Sequence, residues 1–263
     1  GKQATPASTL RATPSLTRVP SSSSGEGPLS ASRRKATAAD GDGDGWLDAA
    51  VEIEPREVVL GAELGSGGFG VVYAAKCRGK DVAVKKLRAS PSVSLQQERL
   101  EALKQEVAIM RSIPHPNIVL LMGFCLEGDT LWVITERLAG DLETRIIKEK
   151  KNYPLHTRLR MAYDCALGMN WLHLRSPPMV HRDLKLSNLL LDENLCVKIC
   201  DFGLAKNLRV EGSNPQADEE DAKQAKVGGS PLYMAPEVML GEFGPPCDVY
   251  SFAIILYELF TQY

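Results

Sequence analysis

The run His181-Arg182-Asp183-Leu184-Lys185-Leu186-Ser187-Asn188, with Asp201-Phe202-Gly203 downstream, gathers two acids, a lysine and an amide in one short stretch. Such a set suits the handling of phosphate and magnesium. Carboxylate and amide oxygens ligate hard cations, and a lysine offsets phosphate charge. The linker from Leu189 to Cys200 reads as two short strands around a polar turn. A hairpin brings its ends together, so Asp183, Asn188 and Asp201 are expected to converge.

Two further motifs fit the same chemistry. Gly65-Ser66-Gly67-Gly68-Phe69-Gly70 has the G-x-G-x-x-G spacing, which a dinucleotide-binding fold also uses. A dinucleotide fingerprint opens a helix. Here Val71-Val72-Tyr73 continues as strand, which makes the glycines a hairpin tip able to close over phosphates and offer N–H donors. Lys85 ends the apolar run Val82-Ala83-Val84. A lysine there needs a partner, because a charge leaving water unpaired is costly. Glu106 shares a helix face with Leu103 and Met110 and is the expected partner; Glu98 and Glu101 are rivals further from the apolar stripe.

The elements that must position these groups follow from periodicity. Val58–Leu60, Gly70–Tyr73 and Asp81–Lys85 read as strands. A helix is expected from about Leu95 to Ser112, with Leu100, Leu103, Val107 and Met110 on its apolar face, ended by Pro114 and Pro116. Strands Ile118–Leu121 and Leu131–Thr135 follow, then helices at Leu155–Leu174 and Asp248–Leu259. Strands first and helices second imply an α+β protein of two lobes.

Composition sets the outer limits. The 263 residues are 44% hydrophobic and 24% charged with a net charge of −2, which fits a globular protein and gives no basic field for nucleic acid or anionic membrane. No apolar run is long enough for a spanning helix. Six scattered cysteines without C-x-x-C spacing read as buried thiols in a reducing compartment, hence a cytoplasmic setting. Residues 1–45 are rich in Ser, Thr, Ala, Pro and Gly and are expected to be a disordered tail, with order beginning near Trp46. Within it, Ser32–Thr37 is either a phosphorylation or docking site or a solvated linker. Its Arg/Ser bias hints faintly at a transit peptide, although no amphipathic helix accompanies it.

From about residue 52 to 260 the chain resembles a eukaryotic protein kinase, most closely the tyrosine-kinase-like group of Ser/Thr kinases, Raf-like branch. The supporting strings are Glu52-Ile53-Glu54-Pro55, the glycine loop, His115-Pro116-Asn117-Ile118-Val119, Met234-Ala235-Pro236-Glu237 and Asp248-Val249-Tyr250-Ser251-Phe252. The resemblance implies a bilobal fold, with residues 46–137 as a β-rich N-lobe and 138–263 as a helical C-lobe. It also implies ATP and Mg2+ as cofactors, a protein substrate with a Ser or Thr acceptor, and a place in a signalling cascade. By the same resemblance Asp183 is the catalytic base, Lys185 steadies the transferred phosphoryl group, and Lys85 held by Glu106 grips the α- and β-phosphates. Asn188 and Asp201 bind the metal. Leu64, Gly65, Ser66, Gly67, Gly68, Phe69 and Gly70 cover the nucleotide; Thr135 is the gatekeeper; the backbone of Glu136 and Leu138 meets the adenine edge; Val72, Ala83 and Leu190 sandwich the ring. Met110, Leu121, His181 and Phe202 stack as a spine anchored by Asp248. Lys185, two residues after Asp183, and Gly229-Ser230-Pro231 favour Ser/Thr over Tyr; Ser230 stands where the family usually has Thr and is expected to hydrogen-bond the catalytic loop. The alternative is a nucleotide-binding pseudokinase or scaffold.

Two departures stand out. The long polar stretch before Glu237 carries Asp218-Glu219-Glu220-Asp221, which either partly occupies Arg182 in place of a phosphate or is a solvated insertion. The chain also ends at Tyr263, where similar domains continue. The expectation is an incomplete C-lobe, no arginine partner for Glu237, a partly exposed face of Phe252, Ile255, Leu256 and Leu259, and poor solubility or weak activity for the chain alone.

Overall fold

The computed structural model describes residues 52–66, 70–87, 93–127, 130–208 and 229–262, with 93–95 described by backbone alone. The N-terminal tail, Trp46, the loop tip Gly67-Gly68-Phe69 and the acidic Asp218–Asp221 cluster lie outside the described residues.

Five strands form one antiparallel sheet: β1 (Val58–Ser66), β2 (Gly70–Cys77), β3 (Lys80–Leu87), β4 (Leu121–Glu127) and β5 (Thr130–Glu136), in the order β1-β2-β3-β5-β4. Alternation along β3 sends Val82 and Val84 to one face and Ala83, Lys85 and Leu87 to the other. The first face closes over Ala75, Cys125, Trp132 and Ile134, and Ile53 caps it after bonding its N–H to Phe124 O at 2.8 Å. The second face packs on α1 (Val93–Ser112) through Leu87, Leu103, Val107, Phe124, Leu131 and Val133. Because both faces are covered, the centre of β5, Leu131–Ile134, is an unbroken apolar run.

The strand expected at Ile118–Leu121 begins later, at Leu121. Ile118 makes only an isolated bridge to Ile199, and Val119 N donates to Ile199 O at 2.9 Å. The two prolines before it keep 113–120 a loop, and the second lobe satisfies its backbone.

The second lobe begins with β6 (Gly140–Asp141) and a π turn at Thr144–Lys148. There follow α2 (Leu155–His173), β7 (Met179–Val180), β8 (Leu189–Leu191), β9 (Val197–Ile199), β10 (Lys206–Asn207), α3 (Pro236–Met239) and α4 (Pro245–Thr261). Prolines in the first turns of α3 and α4 cost no hydrogen bond there. The core joins Met161, Cys165, Leu172, Ile199, Phe202, Ile255 and Leu259. Ile255 and Leu259 are therefore buried, and Phe252 and Leu256 pack half-buried against them. The expected partial exposure of that helix face is corrected for Ile255 and Leu259, which are buried in the core shared with α2, and holds for Phe252 and Leu256; the exposed large apolar residues of α4 are Val249, Tyr250 and Tyr257. α2 packs tightly because of Gly168, where an added Cβ would lie 2.8 Å from Ile199 Cδ1 and 2.9 Å from Asn117 O. No helix among the described residues is long and apolar enough to cross a membrane.

Candidate active site

The sheet and α1 build the first half of the site. Lys85 lies on the α1 face of β3, opposite Val72 on β2 and Val133 on β5. Its Nζ donates to Glu106 Oε1 at 2.8 Å and Oε2 at 2.7 Å, and lies 3.5 Å from Asp201 Oδ1. Burial alone pulls the Lys85 ammonium down, but the Glu106 and Asp201 carboxylates outweigh it and hold it above the ordinary lysine range. Of the rival partners, Glu101 pairs with Lys104 at 2.9 Å and Glu98 is exposed. Ala83 sits opposite Thr135. Val72, Ala83, Thr135, Leu138 and Leu190 are all half-buried. Gly65 and Ser66 end β1 opposite Val72 and Val71, and Leu64 is exposed.

The second half comes from the hairpin. Leu189, Leu190 and Leu191 pair with Ile199, Lys198 and Val197, and Cys200 N donates to Asn188 O at 3.0 Å. The hairpin thus carries Asp201 back beside Asn188. Asn188 Nδ2 donates to Asp183 O at 2.8 Å and to Asp183 Oδ2 at 3.2 Å. With its nitrogen committed, its oxygen remains for a cation. Burial pushes the Asp201 carboxyl up, yet Lys85, aided by His181 and Lys185, more than offsets this and holds it below the usual aspartate range. An ionised aspartate and an amide oxygen are hard donors, so these two residues fit a divalent metal such as Mg2+.

Asp183 is held from several sides. Lys185 Nζ donates to its Oδ2 at 2.7 Å, while Ser230 N and Oγ donate to its Oδ1 at 3.0 and 3.1 Å. Lys185 also donates to Ser230 Oγ at 2.9 Å. The serine hydroxyl therefore bridges the lysine and the aspartate. Gly229 makes this approach feasible: its φ is +126°, and a Cβ there would lie 3.0 Å from Arg182 O.

Beneath the loop, Asp248 on α4 fixes the backbone. Its Oδ2 accepts from His181 N and its Oδ1 from Arg182 N, both at 2.9 Å. Arg182 and Asp201 both adopt left-handed φ angles, 68° and 63°, a conformation that survives only when surroundings enforce it. His181 packs edge-on against Phe202 with ring centroids 5.2 Å apart, and Met110, Leu121 and Phe202 share one core cluster.

Sequence reasoning missed two participants. His173 Nε2 lies 2.8 Å from Asp248 Oδ2. Lys198 Nζ donates to Glu136 Oε1 at 2.8 Å, an atom that also accepts from Leu120 N at 2.8 Å. Both depend on pairing across distant segments, and the only sequence signal was the Trp171-Leu172-His173 run ahead of His181.

Residues 58–263 match the family model described as protein tyrosine and serine/threonine kinase. The dual specificity protein kinase shkA of Dictyostelium discoideum is 45% identical over 213 residues, covering 80% of this chain and 38% of that protein. The dual specificity protein kinase shkC of the same organism is 46% identical over 213 residues, covering 80% of this chain and 40% of that protein. The serine/threonine-protein kinase CTR1 of Arabidopsis thaliana is 42% identical over 203 residues, 76% of this chain and 23% of that protein. The chain thus spans less than half the length of these relatives.

Proposed function

The chain belongs to the protein tyrosine and serine/threonine kinase family, and on that premise we propose that it transfers the γ-phosphoryl group of ATP to serine or threonine hydroxyls of proteins. The observation that carries the reading is the Asp183–Ser230–Lys185 triangle facing the Lys85–Glu106–Asp201 cluster. One group handles an acceptor hydroxyl and the other handles phosphate. Asp183 receives the acceptor proton and orients its oxygen. Lys185 steadies charge on the moving phosphoryl group. Lys85, kept charged and aimed by Glu106, grips the inner phosphates. Asn188 and Asp201 would hold Mg2+, which supplies charge neutralisation at the phosphate oxygens when bound. Thr135, the Glu136 and Leu138 backbone, Val72, Ala83 and Leu190 form the adenine slot. Positioning and electrostatics carry the acceleration, since phosphoryl transfer asks little covalent chemistry of the protein.

A tyrosine acceptor is favoured by one finding, the dual specificity names of shkA and shkC. Six free cysteines accord with a reducing, cytoplasmic setting, where a signalling role would be exercised.

The test is phosphotransfer from labelled ATP to peptides differing only in a Ser, Thr or Tyr acceptor, with Asp201→Asn as the control. Transfer to Ser and Thr, lost in the control, is expected. Comparable transfer to Tyr would establish dual specificity. Nucleotide binding without transfer in either protein would leave the scaffold reading instead.

A further inference from the structure

The position of α1 decides whether Glu106 reaches Lys85, and the end of that helix is held from the other lobe. An α-helix leaves its last four carbonyls without intrahelical partners. In α1 these are Ile109, Met110, Arg111 and Ser112. Arg175, just beyond α2 in the second lobe, donates from Nη1 to Ser112 O at 2.6 Å. Its Nη2 lies 3.4 Å from Ser112 Oγ, and that hydroxyl donates to Ile109 O at 2.8 Å. One guanidinium thus serves two of the four carbonyls, directly and through the serine. It also places a fixed positive charge at the negative end of the helix dipole. Four residues earlier, Trp171 stacks on His115 in the loop after α1, with ring centroids 5.5 Å apart. Glu106 is six residues before Ser112, about 9 Å along the axis at 1.5 Å per residue, so a shift of the helix end is passed along a stiff rod to the carboxylate.

We propose that Arg175 is a positioning residue for phosphate transfer: by clasping the C-terminal carbonyls of α1, it holds Glu106 against Lys85 from across the lobe junction. The proposal rests on the reading of Lys85 and Glu106 as the phosphate grip. If Arg175 were only a structural cap, its loss would lower stability and leave the Lys85–Glu106 contact unchanged.

The test reads that contact without turnover. Lys85 acylation by a small amine-reactive ester is followed by mass spectrometry of its peptide, in wild type, Arg175→Met, Glu106→Gln and the double variant, well below each melting temperature. Weakening the Lys85–Glu106 contact by about 1.4 kcal/mol raises the population in which the amine is released to the ester about tenfold. Arg175→Met is therefore expected to label Lys85 about tenfold faster, Glu106→Gln at least as fast, and the double variant no faster than Glu106→Gln. Arg175→Lys, which keeps a charged donor at Ser112, is expected to restore slow labelling. A wild-type rate in Arg175→Met overturns the proposal, as does a double variant whose acceleration is the product of the single ones. Should Arg175→Met not fold, the series Arg175, Arg175→Lys, Arg175→Gln takes its place, and labelling that fails to rise in that order overturns it equally. Failure of the kinase reading shows separately, as a wild-type protein that transfers no phosphate.

Discussion

Asp248 offers the sharpest test of how the second lobe supports the catalytic loop. It is 1% exposed; its Oδ2 accepts the buried amide of His181 and faces the ring of His173, and its Oδ1 accepts the amide of Arg182. In Asp248→Ala both amides lose their acceptor. A buried donor left unsatisfied costs about 1–3 kcal/mol, so the pair costs about 2–6 kcal/mol. That is a large share of the roughly 5–15 kcal/mol that stabilises a typical domain. At about 2–4 °C per kcal/mol for a chain of this size, the melt should fall by several degrees at least. The kinetic effect is separate. The two amides immediately precede Asp183, and Arg182 holds a left-handed φ that these bonds help enforce. Misplacing a catalytic group by about 1 Å can cost roughly a hundredfold, so phosphotransfer should fall by about that factor in protein still folded at the assay temperature. Denaturant melts and single-turnover transfer on the same samples provide the readings. A midpoint within about 0.5 kcal/mol of wild type, the ordinary range for a surface change, together with unaltered transfer, would refute the anchoring argument.

Other outcomes follow from the same geometry. Gly168→Ala should destabilise by about 1–3 kcal/mol in a denaturant melt, because overpacking against Ile199 and Asn117 outweighs the gain of about 1 kcal/mol in helix propensity; a stabilised variant would contradict the tight packing. Lys85→Met should abolish transfer and weaken nucleotide binding in a direct titration, since it removes the cation held by Glu106 and Asp201. Asp201 has a depressed folded pKa, so its stabilising contribution is complete above the unfolded value of about 3.9 and disappears as pH falls through the lower folded value. Acid titrations of stability should therefore show wild type and Asp201→Asn converging below about pH 4, and a constant gap down to the acid limit would count against the Lys85 contact. Ser230→Ala should slow transfer by about fivefold, one bond's worth of positioning at about 1 kcal/mol, and Ser230→Thr should recover it.

Legibility divided by the range of the interaction. Val82, Ala83, Val84 and Lys85 announce a buried strand with one charge in it, and the apolar stripe of α1 announces which glutamate faces inward. Those are short-range patterns, and Lys85 and Glu106 meet as expected. The strand expected at Ile118–Leu121 was misplaced because the same apolar run serves a loop whose backbone is satisfied by Ile199 in the other lobe. On the apolar face of α4, Ile255 and Leu259 were expected to be partly exposed and are buried, because packing against α2 has no local signature.

The chemistry itself was determined by the sequence. Asp183, Lys185, Asn188 and Asp201 fix which charges, donors and acceptors the loop can present, and their spacing around a hairpin fixes that they converge. What only the tertiary structure decided is what holds them still. Asp248 reaches the loop from a helix more than sixty residues on, Ser230 closes the triangle from beyond a long polar stretch, and Arg175 clasps the end of α1 from the opposite lobe. Side-chain type sets the strength of such contacts, but whether they form depends on the relative placement of packed elements, which no local pattern encodes.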